Sequence, residues 1–154
     1  MLGLGNPIMG DDGVGIHVLR GLKKKIPPRT DLEFKELGVG GIKLIEEILD
    51  YRTVFIIDSI ESTTTLGKIK EFSPDQLKYT QYESAPHAVN FMTALELYQK
   101  LEPERIPEQI RIFVITIKPE FTFKENLTPT IQAAASRLTE LLVNEISRMP
   151  PLIS

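Results

Sequence analysis

The chain has 154 residues, 42% of them hydrophobic and 25% charged, which is enough for one core that buries roughly 68–70% of the unfolded surface. A net charge of −3 with no long Lys/Arg run argues against a nucleic-acid partner, and no apolar run is long enough to span a bilayer, so no membrane partner is expected. Without cysteine the chain offers neither a disulfide nor a thiolate to a metal or substrate, and a cytoplasmic setting is expected.

Only Met1 and Leu2 precede the first glycine, so the opening strand reads as clipped and is expected to extend upstream. It runs into Gly3 to Gly15, GLGNPIMGDDGVG, where closely spaced glycines and Asn6-Pro7 make a tight turn between a first strand and a first helix. The spacing does not suit a dinucleotide. Ile8 stands where a third glycine is needed, and Asp11 and Asp12 at the helix entrance would repel a pyrophosphate. Asp11 reads as the helix N-cap and Asp12 as a first-turn carboxylate. Val14, Ile16, Val18, Leu19 and Leu22 form the apolar face of that helix. Lys23 to Lys25 supply cations to its C-terminus, and Ile26-Pro27-Pro28 ends it.

A second strand is expected over Leu32 to Leu37, followed by the glycine loop Gly38-Val39-Gly40-Gly41 and a helix with Ile42, Leu44, Ile45 and Ile48 on its buried face. Val54 to Ile57 is an unbroken apolar run, the pattern of a central strand buried on both sides, and Asp58 is expected to emerge at its C-terminal end. Gly67 to Phe72 alternates as an edge or hairpin strand does. A polar segment then leads to Ser84-Ala85-Pro86-His87 and a helix through Leu101, with His87 in its first turn. Ile110 to Ile117 is another apolar strand, closed by Lys118-Pro119-Glu120, with Glu120 read as a structural loop acid. Thr128-Pro129 opens a last helix that runs to about Arg148. These units predict a three-layer α/β/α sandwich with a twisted, mostly parallel sheet of about five strands, one of them antiparallel, forming a single domain over residues 1–154.

Open α/β sheets place their ligand crevice at the C-terminal ends of the strands, and Asp12, Asp58 and His87 all fall there or at the helix starts that follow. Taken singly, an Asp after a strand is as often a cap as a ligand, and a His near a helix start is more often a surface residue. Together, two carboxylates and one imidazole form a borderline donor set suited to Zn²⁺, Ni²⁺, Mn²⁺ or Fe²⁺ with positions left open. The other histidine, His17, lies five residues after Asp12 and so roughly 140° around the helix, away from the crevice, and reads as structural or exposed. Gly38, Gly40 and Gly41 have two readings: backbone donors to a bound segment, or a loop that needs glycine for conformation and close packing.

The ordered series GLGN…GDDGVG, GVGG, FIIDSI, SAPHAV, ITIKPE and LTPT resembles the hydrogenase maturation endopeptidase family over nearly the whole chain. The resemblance implies that Asp12, Asp58 and His87 are the catalytic, metal-contacting positions. It also implies an endopeptidase that removes the C-terminal extension of a [NiFe] hydrogenase large-subunit precursor once nickel has been inserted. The Ni²⁺ then belongs to the substrate, and weak or no intrinsic metal affinity is expected. Asp12 stands where some members have Glu, and Lys118 where glutamine often precedes Pro-Glu. Specificity is expected in Ser59 to Thr65 and Lys78 to Ala85. The rival readings are a metal-dependent peptidase or amidase acting on small substrates, a non-catalytic module that binds a metallated partner, and, third, a nucleotide binder.

Overall fold

The computed structural model describes residues 1–38, 41–79, 86–119 and 123–150, and for 78–79 and 86–89 the backbone alone. Five strands form one sheet: β1 (Leu2–Leu4), β2 (Lys35–Leu37), β3 (Thr53–Glu61), β4 (Ile69–Phe72) and β5 (Gln109–Ile117). Their order is β2-β1-β3-β5-β4, with the first four parallel and β4 antiparallel to β5 at the edge. The helices are α1 (Val14–Lys25), α2 (Ile42–Glu46), α3 (Pro74–Tyr79), α4 (Pro86–Leu101) and α5 (Pro129–Arg148).

Strand pleating divides the core into two layers. Val54, Ile56 and Ile60 of β3 meet Leu44 and Ile45 of α2 and Phe91 and Leu95 of α4, whereas Phe55 and Ile57 meet α1 and α5 through Val14, Val18, Leu22, Ile131, Leu138 and Leu142. The expected three-layer sandwich is therefore present, with its central strand buried on both faces. Among the described residues no helix is long and apolar enough to cross a membrane.

Several boundaries differ from the sequence reading. Only Lys35–Leu37 of the expected second strand pairs, because β1 offers three partners (Leu2↔Lys35, Gly3↔Glu36, Leu4↔Leu37). Leu32 and Phe34 instead pack against the α1–α5 core. The helix after the glycine loop is one short turn-and-a-half, and Ile42 at its start is exposed while Leu44, Ile45 and Ile48 are buried. β3 extends four residues past Ile57, so Asp58 lies inside the strand rather than at its end, and Ser59 is strand rather than loop. The extension is possible because β5 is equally long and pairs with it up to Glu61↔Ile117. Helix α3 was not anticipated, although Ser73-Pro74-Asp75-Gln76 carries a capping box: the Ser73 amide donates to Gln76 Oε1 (2.9 Å) and the Gln76 amide to Ser73 Oγ (3.3 Å).

Candidate active site

The end of β1 and the start of α1 meet without intervening side chains. At Gly5 (φ +123°), a Cβ would lie 2.1 Å from the Asp12 carbonyl oxygen. At Gly15 it would lie 2.3 Å from the Ile57 carbonyl oxygen and 2.4 Å from that of Leu4, so helix α1 begins directly on the end of β1 and the middle of β3. Between them, Gly10–Gly13 forms a 3₁₀ turn that carries both aspartates.

The two carboxylates of that turn have different partners. Asp12 folds back toward β1 and accepts the Asn6 amide at Oδ2 (2.9 Å), while Asn6 Oδ1 accepts the Ile8 amide (3.2 Å) and fixes the loop. Asp11 is not the N-cap of the first helix. Its carboxylate accepts from the Thr128 amide (2.7 Å) and hydroxyl (2.8 Å), and the residue in the N-cap position of α1 is Gly13.

Asp58 is buried within β3 and shares pleat parity with Val54, Ile56 and Ile60, the residues that face α2 and α4. β1 pairs with β3 only as far as Gly3↔Ile57, so on that side Asp58 stands just beyond the last ladder partner. The described geometry thus brings Asp12 and Asp58 together. Ser59, which the sequence reading placed in a variable loop, joins them: its amide donates to Asp58 Oδ1 (2.8 Å) and its hydroxyl to Asp12 Oδ1 (3.4 Å). The signal was the Asp-Ser dipeptide, in which a backbone N–H beside a carboxylate is a ready local donor. Burial pushes the Asp58 carboxyl up to about 7; the Asp12 charge adds to the rise, and the Ser59 N–H works against it.

His87 is the second residue of α4, and its side chain lies outside the described residues, as does all of Gly40. A Cβ on Gly41 would approach Asn90 Cβ at 3.4 Å, so the end of the glycine loop adjoins α4 one turn after His87. A Cβ on Gly38 would meet nothing within 4 Å among the described residues. Glu120 and residues 80–85 of the expected specificity segment also lie outside the described residues. Among the described residues no three His, Cys, Asp or Glu side chains cluster as metal donors. His17 is half-buried on α1, with Nε2 enclosed and lacking a hydrogen-bond partner among the described residues.

A profile of the hydrogenase maturation protease family matches residues 16–145. The chain belongs to that family. Membership makes it a peptidase of the hydrolase class whose family acts on hydrogenase precursors. Among curated relatives, the delta subunit of coenzyme F420 hydrogenase from Methanothermobacter thermautotrophicus is 24% identical over 95% of this chain and 92% of its own length. The HupD hydrogenase expression/formation protein of Thiocapsa roseopersicina is 21% identical, over 91% of this chain and 67% of its own. The same fold occurs in the hydrogenase maturating endopeptidase HybD of E. coli (TM-score 0.70, 19% identity, 95% of this chain and 90% of that one). It also occurs in the [NiFe] hydrogenase maturation protease HybD of Thermococcus kodakarensis (TM-score 0.70, 24% identity, 96% and 97%). The matched region includes Asp58 and His87 and begins just after the glycine turn that carries Asp12.

Proposed function

We propose that this protease removes the C-terminal extension of a [NiFe] hydrogenase large-subunit precursor after nickel insertion, and that Asp12, Asp58 and His87 engage the nickel carried by the substrate. The observation that carries this reading is the buried Asp58 carboxyl beside Asp12. Two like charges in a desolvated setting raise the proton affinity of one of them, and a divalent cation replaces that proton more effectively than any neutral ligand. The donors also fit. Two carboxylates and an imidazole hold a borderline metal loosely, while the precursor's own ligands keep the greater share of it. Cleavage would then be licensed by geometry: contact with nickel fixes the scissile peptide over the site, and a water attacks its carbonyl. In this reading Gly38, Gly40 and Gly41 lend backbone N–H groups to the bound segment, and the protease carries little metal of its own.

Intact mass of a nickel-loaded precursor, incubated with the protein beside a nickel-free precursor, tests this directly. Shortening at the C-terminus with nickel alone, lost on Asp12→Asn or His87→Ala, is the expected outcome. Binding of the nickel-loaded form without shortening would overturn it in favour of a non-catalytic module. Nickel-independent cleavage of small peptides would favour a general peptidase.

A further inference from the structure

Asp11 holds no place in the reaction just described, yet its carboxylate makes two short hydrogen bonds to a single residue on the far side of the chain. Thr128 donates its amide to Oδ1 (2.7 Å) and its hydroxyl to Oδ2 (2.8 Å). Thr128 is the N-cap residue of α5, with extended backbone (φ −63°, ψ 154°), but it makes no side-chain cap to its own helix. A threonine there ordinarily accepts an N–H of the first turn; here the hydroxyl serves as a donor to Asp11. The anchor is rigid. α5 runs for 20 residues and buries Ile131, Leu138, Leu142 and Ile146 in the core, and its positive N-terminal end favours the Asp11 charge. The same segment grips the turn a second time, where the Lys124 amide donates to the Ile8 carbonyl (3.0 Å) and the Gly10 amide to the Lys124 carbonyl (2.6 Å).

We propose that Asp11 is a positioning residue for the cleavage reaction: by clasping Thr128 it fixes the 3₁₀ turn and so holds the neighbouring Asp12 carboxylate against the Asn6 amide and Ser59. The inference rests on the reading of Asp12 as a site residue. Consecutive residues in a 3₁₀ turn project to different sides, so one aspartate can be tied to α5 while the next faces β3. Among the described residues, Asp12 is oriented by its 2.9 Å bond to the Asn6 amide and the longer contact to Ser59. Its aim therefore depends on the backbone that Asp11 secures.

The test compares the full chain with Asp11→Asn, Thr128→Val and Thr128→Ser, reading amide hydrogen exchange at Asn6 and Thr128 by NMR together with kcat and KM on nickel-loaded precursor. Asp11→Asn is expected to speed exchange at both amides by about tenfold and to lower kcat about tenfold with KM within about twofold, because the lost contact orients rather than binds. Thr128→Val should do the same to a smaller degree, and it serves as the decisive variant if Asp11→Asn does not fold. Thr128→Ser, which keeps the hydroxyl, should behave as the unmodified protein. Unchanged Asn6 exchange and kcat in a variant whose Thr128 amide has lost protection would overturn the proposal and leave Asp11 as an anchor of α5 alone. If the unmodified protein cleaves no precursor, the functional reading fails, while Asn6 exchange still decides whether Asp11 orients Asp12.

Discussion

Where the 3₁₀ turn after β1 meets the middle of β3, Asp12 and Asp58 set two like charges side by side with one of them buried, whereas nearer the start of β5 Arg111 sits between Glu71 of β4 and Glu145 of α5. That guanidinium also lies over the rings of Phe55 (4.9 Å) and Phe113 (5.0 Å). A cavity of about 670 Å³, lined by Glu71, Phe72, Leu95 and Arg111 among others, opens in this second region. Several of its charges are paired: Arg111 with Glu71 and with Glu145 behind it, and Glu108 with Arg52 (3.1 Å). The contrast teaches that a cavity and a candidate site need not coincide. The cavity belongs to a region of paired charges, and the candidate site is marked instead by a carboxylate buried at a cost.

The largest expected effect tests that cost. Asp58→Asn should lower precursor cleavage about a thousandfold, equivalent to about 4 kcal/mol of transition-state stabilisation, as measured by kcat/KM. The same variant should be more stable than the unmodified protein at pH 8. Because folding raises the Asp58 carboxyl to about 7, its contribution favours the fold below its ordinary range and is lost as pH rises through about 7. Replacing it with a neutral amide should therefore add roughly 2–4 kcal/mol in urea unfolding at pH 8 and little at pH 4. Equal stability at both pH values, or cleavage within threefold of normal, would erase the distinction between the two regions.

Arg111→Met should act in the opposite sense. It removes the shared partner of Glu71 and Glu145 while keeping an apolar stem against Phe55 and Phe113, and should cost about 2 kcal/mol by urea unfolding. kcat/KM should stay within about twofold, since the residue lies nearer the start of β5, away from Asp58. A large loss of activity without loss of stability would bring the cavity into the reaction. The smallest effect is expected at Arg20 and Glu36, whose bidentate pair (2.8 and 2.7 Å) joins α1 to β2 at the surface. Both side chains are more than two-fifths exposed, so Arg20→Ala should cost about 0.5 kcal/mol and less in high salt.

Much of this arrangement was legible from local pattern. Val54 to Ile57 announces a strand with two buried faces. Proline at the first position of α5 sets the start of that helix, and the five apolar positions of α1 are all buried as their spacing predicts. The nearness of Asp12 to Asp58 was legible too, because each comes after the apolar run of a neighbouring parallel strand, although β3 continues past Asp58. Ser59 and Thr128 were not. A hydroxyl that donates to a carboxylate 47 or 117 residues away leaves no periodic trace, and both residues also make sense as ordinary loop or cap residues. Asp11 was misplaced for the same reason: an Asp before a helix reads as a cap, and only the approach of α5 supplies the competing donors.

Sequence alone determined the alternation of strands and helices, the glycines that let α1 rest on β1 and β3, and the acids that follow the apolar runs, because each depends on contacts or steric limits a few residues apart. Tertiary structure decided how far β3 runs, since its last residues are strand only because β5 lies beside them. It also decided which of two adjacent aspartates faces the site. Asp11 and Asp12 are chemically identical, and their different roles come from what the fold brings to each: the N-terminus of α5 to one, the Asn6 amide and Ser59 to the other.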